Sequence, residues 1–161
     1  MVKISIALIL ILNGCSSIGK SEILPAQREI ATNQSGIAKV TQVETTGEEN
    51  NYTFAVTVSS PDTGCDSYAD WWEIITLDGE LLERRVLLHS HVEEQPFTRT
   101  VNSVAVLPEQ KVIVRVHTSN DGYSSFAQQG TVSSGFTATT LPEEFAANLE
   151  SVEPLPQNCA F

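Results

Sequence analysis

C-D-S-Y-A-D-W-W-E-I-I-T-L-D-G-E-L-L-E-R-R-V-L-L-H-S-H-V-E-E-Q-P-F-T-R, running from Cys65 to Arg99, decides the fold. Trp71 to Leu77 is dense in aromatic and β-branched residues and reads as a strand. Asp78-Gly79 is the strongest short turn signal in the chain, and Leu81 to Val92 reads as the returning strand of a hairpin. Side chains alternate across a strand. One face of the return strand therefore carries Leu82, Arg84, Val86, Leu88, Ser90 and Val92, the expected core face. The other carries Leu81, Glu83, Arg85, Leu87, His89 and His91. The two histidines then stand side by side, ~6–7 Å apart. Glu93 to Pro96 breaks the strand, because proline donates nothing to a ladder, and Phe97-Thr98-Arg99 resumes an extended run.

Outward from the hairpin the chain repeats the same period. Gly36 to Thr46 alternates weakly and is the expected first strand. Tyr52 to Ser60 alternates cleanly, with Tyr52, Phe54, Val56 and Val58 inward. Phe97 to Val106 and Lys111 to Thr118 follow. In the latter, Val112, Val114 and Val116 face in, while Ile113, Arg115 and His117 face out. Tyr123 to Thr139 holds one or two short strands anchored by Phe126, Val132 and Phe136. About seven short strands at regular spacing predict an all-β fold, an immunoglobulin-like sandwich, with a small barrel as the alternative. Thr140-Leu-Pro-Glu143 matches a helix capping box, and Leu141, Phe145 and Leu149 follow at helical spacing. A short C-terminal helix and a proline-containing tail to Cys159 are expected.

The first residues belong to no fold. Lys3 and the apolar run Ile4 to Leu12, too short to span a bilayer, read as a signal peptide over 1–14. Leu12-Asn13-Gly14-Cys15 resembles a lipobox, so Cys15 is the expected lipidation site, and residues 15–35 a lipidated start and linker. Residues 36–161 form the expected domain. Two or more acyl chains on Cys15 anchor a protein stably, which points to the cell envelope. In a cell with two membranes, that means the outer membrane facing the periplasm. Cys65 and Cys159 remain, and in an exported domain they most simply pair; two free thiols are the alternative. With 20 Asp and Glu against 9 Lys and Arg, the net charge of −11 excludes a nucleic-acid partner, whose phosphates need a basic face.

Three constellations bear on function. His89 and His91, with His117 if its strand lies near, have imidazoles suited to copper or zinc. The alternative is histidines on the surface or bonded to Glu93, Glu94 or backbone. If they stand on an outer face, replacing both His89 and His91 by alanine leaves the fold intact. Catalysis is not expected: no G-x-S-x-G elbow occurs, and Ser90 points away from its flanking histidines. The third is a binding surface of Tyr68, Trp71, Trp72, Arg85, His89, His91, Glu94 and Arg99, residue types enriched where a protein or small ligand docks. Trp71 and Trp72 must face opposite ways, one to the core and one outward. The alternative buries both beneath the Cys65 loop and the tail.

The runs Y-A-D-W-W-E, R-R-V-L-L-H-S-H-V-E-E-Q-P-F-T-R and V-I-V-R-V-H, with a following G-Y, resemble an uncharacterised family of small bacterial secreted lipoproteins. The resemblance covers Gly36 to Phe161. It implies a small, secreted, β-rich domain and carries no activity, cofactor or site residue with it.

Overall fold

The computed structural model describes residues 36–160; the expected signal peptide, Cys15 and the expected linker lie outside the described residues. Two antiparallel sheets pack face to face, so the expected immunoglobulin-like sandwich forms and the barrel does not. Nine strands rather than seven are formed among the described residues. The first sheet joins β1 (Lys39–Glu48), β2 (Asn51–Ser59) and β5 (Phe97–Val104) in the order β1-β2-β5. The second joins β3 (Ala69–Thr76), β4 (Leu81–Val86), β6 (Val112–Thr118), β8 (Phe126–Thr131) and β9 (Gly135–Thr140) in the order β4-β3-β6-β8-β9. The two-residue β7 (Gly122–Tyr123) pairs with the end of β6.

Between the sheets lies the main core. β2 contributes Phe54, Val56 and Val58, as its alternation predicts; β3 contributes Trp72 and Ile74; β6 contributes Val112, Val114 and Val116. The opposite face of the second sheet is also covered. Ile75, Ile113, Leu141 and Leu149 form a second, smaller cluster there, with Leu81, Tyr123 and Phe145 against it. β6 is buried along its whole length and β3 at every position but Thr76. Ile113, Arg115 and His117, expected outside, are therefore inside, and Trp71 and Trp72 are both buried. The cause is the segment after β9, which folds back over this face. Alternation separates the two faces of a strand, but it is silent about what covers each.

The return strand ends at Val86, not Val92. Leu87 N still donates to Asp70 O, but the chain then crosses to the first sheet to begin β5. Parity also slips within β4. Ile74 pairs with Glu83 and Ile75 with Leu81, which leaves Leu82 as the extra residue of a bulge. Leu82 packs on the main core, whereas Arg84 is buried on the far face, opposite its cross-strand partner Glu73. Beyond the strand Leu87 and His91 are buried while Leu88 and Val92 are exposed, the reverse of the expected faces.

The expected C-terminal α-helix is a turn followed by a 3-10 helix, Ala147–Ser151. Leu141, Phe145 and Leu149 do share one apolar cluster, as their spacing implies. An α-helix would use the carbonyls of Phe145 and Ala146 internally. Here both accept from the Arg115 guanidinium, and Ala146 takes a left-handed conformation at φ 49°. Ala146 also presses on the β3–β4 turn. Gly79 there has φ 83°, and a Cβ in its place would lie 2.9 Å from the Ala146 Cβ.

Cys65 and Cys159 are disulfide-bonded, with Cα atoms 5.6 Å apart and a sequence separation of 94. Closing a loop that long stabilises by ~4–5 kcal/mol in the chain-entropy account. The covering segment is held independently up to Pro154 by the arginines beneath it. Reduction is thus expected to lower the melting temperature and to open the chain to protease beyond Pro154 first, with 141–154 still protected. Limited proteolysis of reduced and oxidised protein, read by mass spectrometry, checks the order of cleavage.

Candidate functional site

On the covered face of the second sheet, β3 places Glu73 between Arg84 of β4 and Arg115 of β6. Glu73 Oε2 accepts from Arg84 Nε at 2.8 Å, and Oε1 accepts from Arg115 Nε at 2.8 Å. All three side chains are shut off from solvent. Two guanidinium groups on one carboxylate leave a net positive charge, which burial penalises unless it is hydrogen-bonded. The covering segment supplies the acceptors. Arg84 donates to the carbonyls of Leu149, Val152 and Pro154, and Arg115 to those of Phe145 and Ala146. Arg84 also lies over the Trp71 ring at 4.7 Å, and Arg115 over Tyr123 at 3.4 Å. Burial, with the Glu73 charge nearby, pushes the Tyr123 phenol up to about 12. It stays neutral. These bonds tie β3, β4 and β6 to the covering segment as a clamp.

Sequence reasoning passed over Glu73, Arg84 and Arg115 as a set. The signal was present in part: counting back from the Asp78-Gly79 turn sets Glu73 across from Arg84. The covering carbonyls were not legible.

The eight residues expected to form one surface are divided. Trp71 and Trp72 are buried on opposite faces of β3, and neither indole N–H finds a partner among the described residues. Arg85 is exposed on β4. Tyr68 is buried at one end of the sandwich. His89, His91, Glu94 and Arg99 do come together, around the crossing from β4 to β5. Arg99 donates to both Glu94 oxygens, at 3.3 and 2.8 Å, and the His89 and His91 ring centroids are 4.5 Å apart. His91 is no surface residue. It is 3% exposed and stacks on Phe97 at 3.7 Å. Asp62 fixes the crossing, accepting from His91 N at 2.8 Å and from Ala69 N at 2.9 Å. His117 has other partners: its Nδ1 is 2.7 Å from Asp70 Oδ1, and its ring stacks on Trp71 at 3.6 Å. Among the described residues no three His, Cys, Asp or Glu side chains converge closely enough to hold a metal ion.

An open cavity of about 480 Å³ lies at the end of the sandwich that holds Tyr68. Its walls come from residues 36–38 ahead of β1, the loop between β2 and β3, and the connection from β6 to β8. Those walls are tied together. Ser119 N donates to Tyr68 O at 3.0 Å, and the Ser124 hydroxyl donates to the Ala38 carbonyl. This falls within the usual size range of small-molecule sites.

Comparison with known proteins adds one finding. The chain is similar to a protein of Halomicrobium mukohataei named "Putative lipoprotein", 42% identical over 84 residues, which make up 52% of this chain and 41% of that protein. The chain thus spans about two fifths of that relative's length. No known protein family matches, and no solved structure does. At this coarse level the relative agrees with the lipoprotein resemblance in the sequence.

Two outcomes follow from the geometry. Glu73→Gln leaves two buried guanidinium groups without a counter-charge. It is expected to destabilise by ~3–5 kcal/mol, read from the denaturation midpoint at unchanged slope. For His91, burial is the largest cause lowering its pKa, with Arg99 and His89 adding and Asp62 and Glu94 opposing. The unfolded chain then binds the proton more readily, starting near the ordinary value of about 6.5. Stability from this residue is present above that pH and falls as pH drops toward the folded value. His91→Phe keeps the stack on Phe97 and should flatten this part of the pH profile of chemical denaturation. His91→Ala removes a buried ring and should destabilise, contrary to an outer-face placement, whereas exposed His89→Ala should stay within ~0.5 kcal/mol.

Proposed function

We propose that this protein is a lipid-anchored module of the cell envelope that holds a small-ligand-binding sandwich outside the cytoplasm. The observation that carries the anchoring is the division of the three cysteines. Cys65 and Cys159 are taken by each other, which suits an oxidising compartment. Cys15 alone remains, and it alone sits in a lipobox-like context. The 42% identity to a protein named as a lipoprotein supports the same reading. Residues 15–35 then act as the tether. The binding role rests on the cavity, which the fold builds at one end from three separate connections.

Cys15→Ala is expected to abolish incorporation of labelled fatty acid and to release the protein from membranes once processing of the signal peptide is verified. Membrane fractionation with labelled palmitate measures both. Wild-type protein that carries no label ends the anchored reading.

A further inference from the structure

We propose that the cavity binds a neutral polyhydroxylated ligand, a small saccharide; this names a ligand class for the binding role above and rests on it. Among the described residues no Lys or Arg lines the cavity, so an anionic ligand would meet no counter-charge. Two carboxylates, Asp121 and Glu143, do line it, and both are exposed, which puts them at the mouth. Within a chain of net charge −11, that mouth repels phosphates and acidic sugars. A carboxylate accepts paired hydroxyl donors well, and vicinal hydroxyls are what a sugar offers.

Hydroxyl groups of Ser60, Ser67 and Ser125 and the exposed Asn120 amide also line the cavity. Ser60 is 7% exposed, and its hydroxyl has no hydrogen-bond partner among the described residues. A buried hydroxyl left in that state costs free energy that a partner recovers. Ser60 is itself a lining residue, so a ligand is positioned to supply that partner. Tyr68 adds a buried aromatic wall, which suits the apolar C–H faces of a sugar ring. An organic cation fits less well. The Tyr123 ring, the other aromatic wall, already carries the Arg115 guanidinium over it, and no aromatic cage remains. The hydrogen bonds among the walls hold the shape before ligand arrives, which lowers the entropy cost of binding.

The test titrates the full mature chain with maltose and N-acetylglucosamine, followed by amide chemical shifts, with sialyllactose and choline as anionic and cationic arms. The expected result is saturable shifts at Tyr68, Asn120 and Gly122 with a neutral sugar. Asn120→Ala, at an exposed position, should weaken binding about tenfold without changing the melting temperature by more than a few degrees, whereas Tyr68→Phe, which keeps the ring, should leave binding within about twofold. Preferential binding of sialyllactose or choline at these residues overturns the saccharide class while leaving the cavity's binding role standing. Neutral-sugar shifts confined to other surfaces, or no saturable shift with any probe, overturn the proposal; in the latter case the binding role falls with it, and the lipid anchor, tested separately, does not.

Discussion

A buried carboxylate between two guanidinium groups is the interaction on which the rest of this domain depends. Glu73 alone neutralises only one of the charges on Arg84 and Arg115. The remaining donors need acceptors, and in a dry environment an unmet guanidinium N–H is strongly unfavourable. The main-chain carbonyls of 145–154 meet that need. The outer face of the second sheet and the C-terminal segment are thus halves of one structure. Without the segment this face of the sheet would present two cations and an apolar cluster to water. Without the cations the segment would keep its apolar contacts through Leu141, Phe145 and Leu149 but lose the donors that its carbonyls accept from.

This dependence reaches the cavity through one residue. Tyr123 stands beneath Arg115 on the clamp side and contributes a wall on the cavity side. Glu143, in the turn that leads into the covering segment, reaches the mouth. The disulfide ties the last part of the tail to the loop ahead of β3, the same loop that brings Tyr68 to the cavity. Cavity and disulfide therefore share the loop ahead of β3, and the clamp on the covered face of the second sheet meets the cavity through Tyr123.

Elements with a strict period of two are legible in the sequence. β2, with Tyr52, Phe54, Val56 and Val58 inward, is such a case, because its outer face is open to water and its alternation is complete. β6 shows where that reading stops. Its Val112, Val114 and Val116 face was plain, but Ile113, Arg115 and His117 gave the same pattern that a half-exposed strand gives. Only the tail's path distinguishes the two. The stretch from Leu81 to Val92 failed differently. A bulge at Leu82 and an exit after Val86 each shift parity by one, and neither leaves a mark in hydrophobic pattern.

By itself, then, the sequence determined most of the sheet-forming segments, the hairpin turn at Asp78-Gly79 and the simplest cysteine pairing; of the residues it brought forward, Tyr68 lines the cavity, while His89 and His91 are neighbours at the crossing to β5. These follow from local chemistry: alternation, turn propensity and a count of thiols. The tertiary structure alone decided that both tryptophans are buried, that His91 is a core residue while His117 belongs to Asp70 and Trp71, that Arg84 and Arg115 share Glu73, and that a cavity opens beside Tyr68. Each of those depends on which segment covers a face. That is settled by carbonyls and side chains distant in sequence, whose meeting no local pattern records.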